Sequence, residues 1–178
     1  MMAPSKKFTY GNIVVNIPNV RKPVPLFIVF RALGILSDRD ILSTILLDLD
    51  KYGAVLDLFV PSVHDAGLIY TQRNAIEHIG YLTKGKNYYH GLEILADYFL
   101  PHVGETNYRE KAYYLGYMVF RMMSVHLGWE LPTDRDHFKY KRMELVGNLL
   151  HDLFREYYTL QLKQVHLKFE TELKMNEG

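Results

Sequence analysis

Apolar side chains are most concentrated in the segment 25–34, which reads PLFIVFRALG. Proline suits the first position of a helix and glycine the position after its end, so Pro25 and Gly34 frame a predicted helix over 26–33. The run 26–30 is apolar on every side, which predicts a buried, central element. A buried strand is the alternative, because periodicity does not separate the two in so short a run.

Capping residues and apolar spacing predict further helices. Thr71 is a typical N-cap, and Ser37 and Asn107 each precede an acidic residue by three positions, as in a capping box. Pro101 and Gly128 are typical helix terminators. These signals predict helices over 38–46, 53–60, 71–82, 92–99 and 108–126.

The last predicted helix is the longest. It follows a polar loop over 130–138 and runs from about Lys141 to beyond Phe169. Two apolar stripes on neighbouring faces indicate contact with more than one surface. The first stripe consists of Val146, Leu150, Leu153, Tyr157 and Leu160, and the second of Tyr158, Leu162, Val165 and Phe169.

Residues 1–24 are the only part with the pattern of extended chain. β-Branched and aromatic residues occupy 8–10 and 13–15, with Gly11 between them and Pro18 after them. This arrangement predicts a short β-hairpin or edge strands.

These elements predict a mainly α (α+β) fold with a small β-hairpin or edge-strand addition at the N-terminus. A length of 178 residues and a hydrophobic share of 48% are typical of one domain with a sizeable core. We therefore expect a single domain over 1–178, in which the extended segment 1–24 precedes a helical body over 25–178. The doubled Met at the start suggests a piece of a longer protein.

Charge and composition exclude several classes of function. Lys and Arg number 21 against 20 acids, and this +1 balance is too small for bulk coating of nucleic acid. Any nucleic-acid contact must therefore be local. The absence of cysteine excludes disulfides, thiolate catalysis and zinc ribbons. No signal peptide or membrane span is predicted, and no membrane partner is expected.

Motifs for catalysis and cofactor binding are missing. The sequence has no G-x-S-x-G elbow, P-loop or G-x-G-x-x-G, and no two of its eight histidines lie closer than eleven residues. The segment 48–53 starts like a calcium loop, but Phe59 stands where the closing Glu is required, so we predict a turn between two helices. We expect no catalytic residue, metal site or cofactor here; a metal-dependent enzyme is the weakest alternative.

The segment 133–142, TDRDHFKYKR, carries the strongest candidate chemistry. It holds four bases, two acids and two aromatic residues, a net charge of +2. Its Asp-Arg-Asp run can satisfy backbone donors or form an ion-pair network that fixes the loop. Lys139, Lys141 and Arg142 then form an outward-facing cluster suited to phosphates or bases. From the residues alone, a structural turn and a nucleic-acid contact are equally supported.

Three separated blocks resemble the second-largest subunit of multisubunit DNA-directed RNA polymerases, whose bacterial homologue is the β subunit. The first is PLFIVFRALG at 25–34, and the second is FLPH at 99–102 before KAYYLGYMVFR at 111–121. The third is DRDHF at 134–138 with KR at 141–142. The resemblance covers the lobe, the family's second domain, which is inserted into the protrusion and forms one wall of the downstream DNA cleft.

The resemblance implies a non-catalytic module of a nucleotidyltransferase. The family's magnesium is bound elsewhere, by an aspartate motif of the largest subunit. Implied partners are the other polymerase subunits, including a small zinc-ribbon subunit, together with downstream DNA and transcription initiation factors. The implied location is the nucleus, or a cytoplasmic viral factory or virion, since polymerases of large nucleocytoplasmic DNA viruses carry a similar PTDRD…KR form.

The resemblance also implies DNA-contacting residues. Bacterial relatives hold a non-template base with positions that match Arg135, Asp136 and Lys141. Lys139 stands where the family usually has glycine, and Arg142 completes the basic cluster. We expect these five residues to contact the DNA backbone rather than to read bases.

A freestanding α-helical interaction protein is the alternative function. It rests on the two stripes of the last helix, which would dock a partner. An inserted lobe makes a further geometric prediction: the chain ends near Phe8 and Phe169 should lie on the same side of the fold.

Overall fold

The computed structural model describes residues 2–3 and 11–176. The chain divides into two compact units, Met1–Leu131 and Pro132–Gly178. We refer to the first as the body and to the second as the C-terminal unit, and each is described by itself.

Some expectations fall outside the described residues. The predicted extended residues 8–10 lie there, and so does Phe8, on which the expectation about the chain ends depends. The expectation of a single domain over 1–178 stays a prediction.

The described part of the body combines helices with three short strands. The strands are β1 (Met2–Ala3), β2 (Asn12–Val15) and β3 (Val24–Pro25). The α-helices are α1 (Leu26–Ala32), α2 (Asp38–Leu46), α3 (Val60–Ala66), α4 (Gln72–Tyr81), α5 (Tyr88–Glu93) and α6 (Tyr108–His126). The predicted fold class, mainly α with a small N-terminal β addition, is confirmed.

The strands form an antiparallel sheet in the order β1-β2-β3. Val14 pairs with Pro25 and Val15 with Val24, so β2 and β3 make a hairpin. Its loop begins with a tight turn, in which the Val20 N–H donates to the Ile17 carbonyl at 3.2 Å. The second central residue of this turn, Asn19, adopts the positive φ (64°) that a type II turn requires, and the proline before it is common at the first central position.

Helix α1 lies at the centre of the body, and all of its residues are buried. The predicted helix is confirmed, and the alternative of a buried strand is wrong. Pro25 stands at the N-cap rather than at the first helical position. Phe27 of α1 meets Phe59 edge-to-face, with ring centroids 6.5 Å apart. The core extends from α1 into side chains of β2, α2, α4 and α6.

One charged residue of α1 is buried within this core. The Arg31 guanidinium donates to a carboxylate oxygen of Asp38 at 2.6 Å and to the Ile69 carbonyl. It also lies 5.0 Å from the centre of the Tyr70 ring. These contacts tie α1 to the start of α2 and to the segment that precedes α4.

The capping predictions have mixed outcomes. Thr71 accepts a hydrogen bond from the Asn74 backbone N–H, as predicted. The predicted side-chain caps at Ser37 and Asn107 are wrong, because neither side chain makes a capping hydrogen bond. The Asn107 amide instead donates to the Val103 carbonyl at 3.2 Å, back towards the preceding turn.

Two predicted helices have different local geometry. The segment 53–60 is a 3₁₀ turn, Gly53–Phe59, which leads into α3. The helix predicted over 92–99 begins earlier, as α5, and continues as a π-helix, Ile94–Tyr98. Pro101 starts a further 3₁₀ turn, Pro101–Val103, two residues after the helix has ended.

A buried lysine binds carbonyls of this π-helix. The Lys111 ammonium donates to the Leu95 carbonyl at 2.7 Å and to the Ala96 carbonyl at 2.8 Å. It thereby satisfies carbonyls that have no helical partner near the helix end. Burial lowers the pKa of Lys111, while the nearby carboxylates of Asp97 and Glu105 act in the opposite direction.

Helices α2 and α6 approach each other closely at a glycine. A Cβ built on Gly116 would lie 2.9 Å from the Thr44 carbonyl oxygen. That distance is shorter than a carbon–oxygen contact tolerates, so this crossing requires glycine.

The C-terminal unit contains a 3₁₀ turn, Phe138–Tyr140, and the long helix α7, Val146–Asn176. The long helix is confirmed, but its predicted start at about Lys141 is wrong. Lys141 is extended, with φ −89° and ψ 141°, because the 3₁₀ turn ends there. All of the described residues from Pro132 onward are exposed. In the described part of the chain, no helix is both long and apolar enough to span a membrane.

Candidate nucleic-acid interface

The loop that carries the candidate site, residues 133–142, is shaped by its own aspartate. The Asp134 carboxylate accepts a hydrogen bond from the Asp136 backbone N–H at 2.9 Å, and the Asp134 carbonyl accepts one from the His137 N–H at 3.3 Å. Such local bonds are the usual means by which aspartate stabilises a turn. Asp134 therefore has a structural role.

The 3₁₀ turn follows at once and is closed by backbone and ring contacts. The N–H groups of Tyr140 and Lys141 donate to the carbonyls of His137 and Phe138, at 3.0 and 3.1 Å. The His137 Nδ1 accepts a bond from the Lys139 N–H at 3.1 Å. The path of the loop is thus set by short-range bonds, and among its charged side chains only that of Asp134 takes part in them.

An ion pair joins two of the predicted site residues. The Lys141 Nζ lies 3.4 Å from a carboxylate oxygen of Asp136, and the two side chains are 52% and 80% exposed. Exposed pairs of this kind contribute little to stability, so this pair orients Lys141 more than it stabilises the fold.

The other three predicted residues remain available for a ligand. Arg135 and Arg142 make no ion pair with any residue between 11 and 176, and the Lys139 Nζ lies 5.7 Å from the centre of the Tyr140 ring. Their positive charge is therefore not neutralised within the described structure. The structure places all five predicted residues on one short, exposed loop, and it brings only Asp136 and Lys141 into direct contact.

The interpretation as a structural turn applies to part of this segment, and the nucleic-acid contact stays a prediction. The structural turn accounts for Asp134, and a single ion pair accounts for Asp136 and Lys141. An extended ion-pair network is not seen among the residues that the structure describes. The remaining cations can bind an anion, because guanidinium and ammonium groups donate strong hydrogen bonds to phosphate.

An aromatic side chain that is not among the five predicted residues adds to the site. Phe138 is 87% exposed and lies in sequence between Arg135 and the basic residues at 139, 141 and 142. An exposed ring beside cations can contact a sugar or stack on a base. The signal in the sequence was the alternation of aromatic and basic residues over 138–142.

The segment that resembles a calcium loop is a turn, as predicted. The Asp48 carboxylate accepts the backbone N–H groups of Asp50 and Lys51, both at 3.1 Å. A carboxylate used in this way closes a turn after α2. Among the described residues, no group of three His, Asp or Glu side chains is arranged to hold a metal ion.

The class of protein follows from the sequence match. Residues 7–144 match the family described as RNA polymerase Rpb2, domain 2, and the chain belongs to that family. The match includes the whole loop 133–142 and stops just before α7 begins.

Particular relatives are subunits of RNA polymerases. The DNA-directed RNA polymerase II subunit RPB2 of Encephalitozoon cuniculi is 39% identical over 153 residues, which are 82% of this chain and 13% of the relative. The DNA-directed RNA polymerase II subunit 2 of Arabidopsis thaliana is 40% identical over 148 residues, 79% of this chain and 12% of the relative. The DNA-directed RNA polymerase subunit Rpo2 of Saccharolobus shibatae is 35% identical over 167 residues, 90% of this chain and 14% of the relative.

The chain therefore spans between 12% and 14% of the length of these relatives. The resemblance to the second-largest polymerase subunit is confirmed at the level of the family.

Proposed function

We propose that this chain is the lobe of the second-largest subunit of a DNA-directed RNA polymerase, and that it lines the cleft for downstream DNA. The family match over 7–144 supports the subunit. The observation that carries the DNA contact is the loop 133–142. Its cations Arg135, Lys139 and Arg142 pair with no acidic side chain that the structure describes.

The proposed contact is with the phosphate backbone. Lysine acts as a mobile point charge, and Lys141 is already paired with Asp136, which limits the geometry available for base recognition. Phosphate contacts position a protein on DNA without reading its sequence. Asp136 then holds Lys141 in place, while Arg135, Lys139 and Arg142 meet the phosphates.

The chain itself is proposed to be non-catalytic. The magnesium and the nucleotidyl-transfer chemistry of the parent enzyme would belong to other parts of the polymerase, with the metal held by the largest subunit. In this scheme the lobe needs no cofactor of its own, and it contributes a wall that keeps the DNA in place.

The proposed partners are the other polymerase subunits, including a small zinc-ribbon subunit, and transcription initiation factors. The relatives named as RNA polymerase II subunits support a nuclear location. A viral polymerase would place the protein in a cytoplasmic viral factory or a virion.

The DNA contact is tested by charge removal with a matched control. The triple variant Arg135→Ala, Lys139→Ala, Arg142→Ala removes the three proposed phosphate contacts and should bind duplex DNA more weakly than the unaltered chain. Its slope of log affinity against log salt should fall in magnitude by about 2 to 3, since each phosphate contact contributes about 0.9. The control Lys163→Ala, Lys168→Ala, Lys174→Ala removes the same number of positive charges from α7. Its slope should stay within about 0.5 of that of the unaltered chain. Equal effects of the two variants contradict the DNA role of this loop.

A freestanding interaction module remains the second candidate, because α7 exposes its apolar residues. Leu150, Leu153 and Tyr157 of the first stripe are all exposed. This candidate predicts that the chain dimerises in solution through α7, and that Leu150→Glu with Leu153→Glu abolishes the dimer. Sedimentation that shows a monomer at all concentrations contradicts it.

A further inference from the structure

Two loops of the body meet at its surface. One is the hairpin loop 16–23 between β2 and β3, and the other is the connection 82–87 between α4 and α5. The Arg21 backbone N–H donates to the Leu82 carbonyl at 3.1 Å, which joins the two loops.

Both loops are held in place by short-range contacts. The hairpin loop begins with the type II turn that ends at Val20, directly before Arg21. In the other loop, Thr83 is fully buried, and its hydroxyl donates to the Gly80 carbonyl at 2.6 Å. The far end of that loop is packed onto α4, since a Cβ on Gly80 would lie 2.4 Å from the Asn87 carbonyl oxygen.

This fixed surface carries only positive charge. We define the paired-loop patch as Arg21, Lys22, Lys84 and Lys86, which are all exposed. Neither loop contains an acidic residue. None of the four side chains makes an ion pair with a residue that the structure describes. Four uncompensated cations are notable in a chain whose formal charge is +1.

Exposed tyrosines flank the patch. Tyr81 is 67% exposed, and the Lys86 Nζ lies 5.9 Å from the centre of its ring. Tyr89, at the start of α5, is 74% exposed. Tyrosine hydroxyls donate hydrogen bonds to phosphate oxygens, and cations beside aromatic rings are a common feature of surfaces that bind nucleic acids.

We propose that the paired-loop patch is a second binding site for the phosphate backbone of duplex DNA. A duplex presents one negative charge per about 1.7 Å of its axis, twice the density of a single strand, so a compact set of four cations meets more phosphates on a duplex. The backbone and side-chain bonds that hold both loops favour binding, because they reduce the chain entropy that is lost when the cations engage. This proposal does not depend on DNA binding by the loop 133–142, because either site could bind DNA without the other.

Salt-dependent DNA binding by the full chain tests this site. The variant Arg21→Gln, Lys22→Gln, Lys84→Gln, Lys86→Gln should bind a labelled duplex more weakly between about 50 and 200 mM salt, and its salt slope should fall in magnitude by about 2 to 4. The control Arg155→Gln, Lys163→Gln, Lys168→Gln, Lys174→Gln removes four charges from α7 and should change the slope by less than about 1. Equal changes in the two variants overturn the proposal.

Two further arms separate DNA from other polyanions. The patch variant should lose more affinity for the duplex than for a single strand of the same length or for poly-glutamate. A loss confined to poly-glutamate would assign the patch to an acidic protein, and a loss confined to the single strand would assign it to unpaired nucleic acid; both results overturn the proposal.

A measurement on the unaltered chain removes any dependence on how the variant folds. Bound duplex should slow chemical acetylation of Lys84 and Lys86 at least about threefold, a protection that one phosphate contact per lysine would produce. Lys163 serves as the reference and should react at an unchanged rate. Equal protection of all three lysines, or none at Lys84 and Lys86, contradicts a duplex site at the patch.

Discussion

The body and the C-terminal unit use similar residues in opposite ways. The body buries a continuous core, and its central helix α1 has no exposed residue. Helix α7 of the C-terminal unit is more than four times longer, and all of its described residues are exposed. An apolar stripe therefore indicates that a helix has a face suited to packing. Whether that face is buried depends on neighbouring elements, which the sequence of the helix does not specify.

The same contrast holds for positive charges. Arg31 and Lys111 in the body are buried, and both donate to carbonyl or carboxylate oxygens of the body itself. Lys139 and Arg142 in the C-terminal unit are exposed on a loop whose backbone bonds already fix its path. These buried basic residues thus stabilise the body, whereas the exposed ones on the loop 133–142 are available for a ligand.

The largest expected effect comes from the aromatic core. Phe27→Ala should lower the free energy of unfolding by about 3 to 5 kcal/mol, because it removes a fully buried ring that contacts Phe59. Phe154→Ala on α7 is the matched control and should change it by less than about 0.5 kcal/mol. Urea denaturation measures both. Equal losses of unfolding free energy would contradict the contrast between a body with a buried core and an exposed helix α7.

Removal of the buried ammonium should have the next largest effect. Lys111→Met leaves the carbonyls of Leu95 and Ala96 without their donor, and unsatisfied buried groups of this kind cost about 1 to 3 kcal/mol each. We expect a net loss of about 2 kcal/mol, since methionine also removes a buried charge. Lys163→Met on α7 is the control and should be neutral in the same thermal unfolding experiment. A neutral Lys111→Met would show that the π-helix does not depend on this ammonium.

A pair of glycine substitutions should act in opposite directions. Gly116→Ala should destabilise by about 1 to 3 kcal/mol, because the new methyl group meets the Thr44 carbonyl. Gly147→Ala has open space around it and lies in α7, so it should stabilise by up to about 0.5 kcal/mol through helix propensity. Calorimetric melting temperatures that move in the same direction for both variants would contradict the close crossing of α2 and α6.

The smallest expected effect is a dependence on pH. Burial of His78 lowers its pKa, so the unfolded chain takes up a proton more readily than the folded one. The contribution of His78 to stability is therefore complete above about pH 6.5 and is lost as the pH falls through the lowered pKa of the folded state. His78→Gln should reduce the change of the urea midpoint with pH between about pH 7 and 5. An unchanged pH profile would rule out this histidine as a source of acid sensitivity.

The sequence predicts those parts of the fold that have local causes. Helices α4 and α6 begin and end within a residue of their predicted bounds, although not every predicted cap is present. The bounds are predictable because Thr71 and the terminator Gly128 act on nearby residues. The π-helix was not predicted, since the ammonium that binds its carbonyls reaches it from α6. The start of α7 was placed too early, because the turn that ends at Lys141 arises from backbone bonds rather than from residue type.

The candidate site shows the same difference between features with local causes and features that depend on contacts between distant residues. The sequence predicts that the five residues lie at one loop-to-helix junction, whereas the structure places all of them before α7 begins, and their DNA contact stays a prediction. The sequence could not select Asp136 and Lys141 as the ion pair, because that contact depends on the path of the loop. The sequence also does not reveal the paired-loop patch, because Arg21 and Lys84 lie on loops that are distant in sequence and are joined by the backbone bond from Arg21 to Leu82.

Site-specific cross-linking in the assembled polymerase tests the central claim most directly. A photoreactive residue in place of Lys139 should form an adduct with DNA downstream of the active site, and the same residue in place of Lys163 should not. This result would place the loop 133–142 against the downstream duplex. An adduct at neither position, or equal adducts at both, would contradict the proposal that this loop lines the DNA cleft.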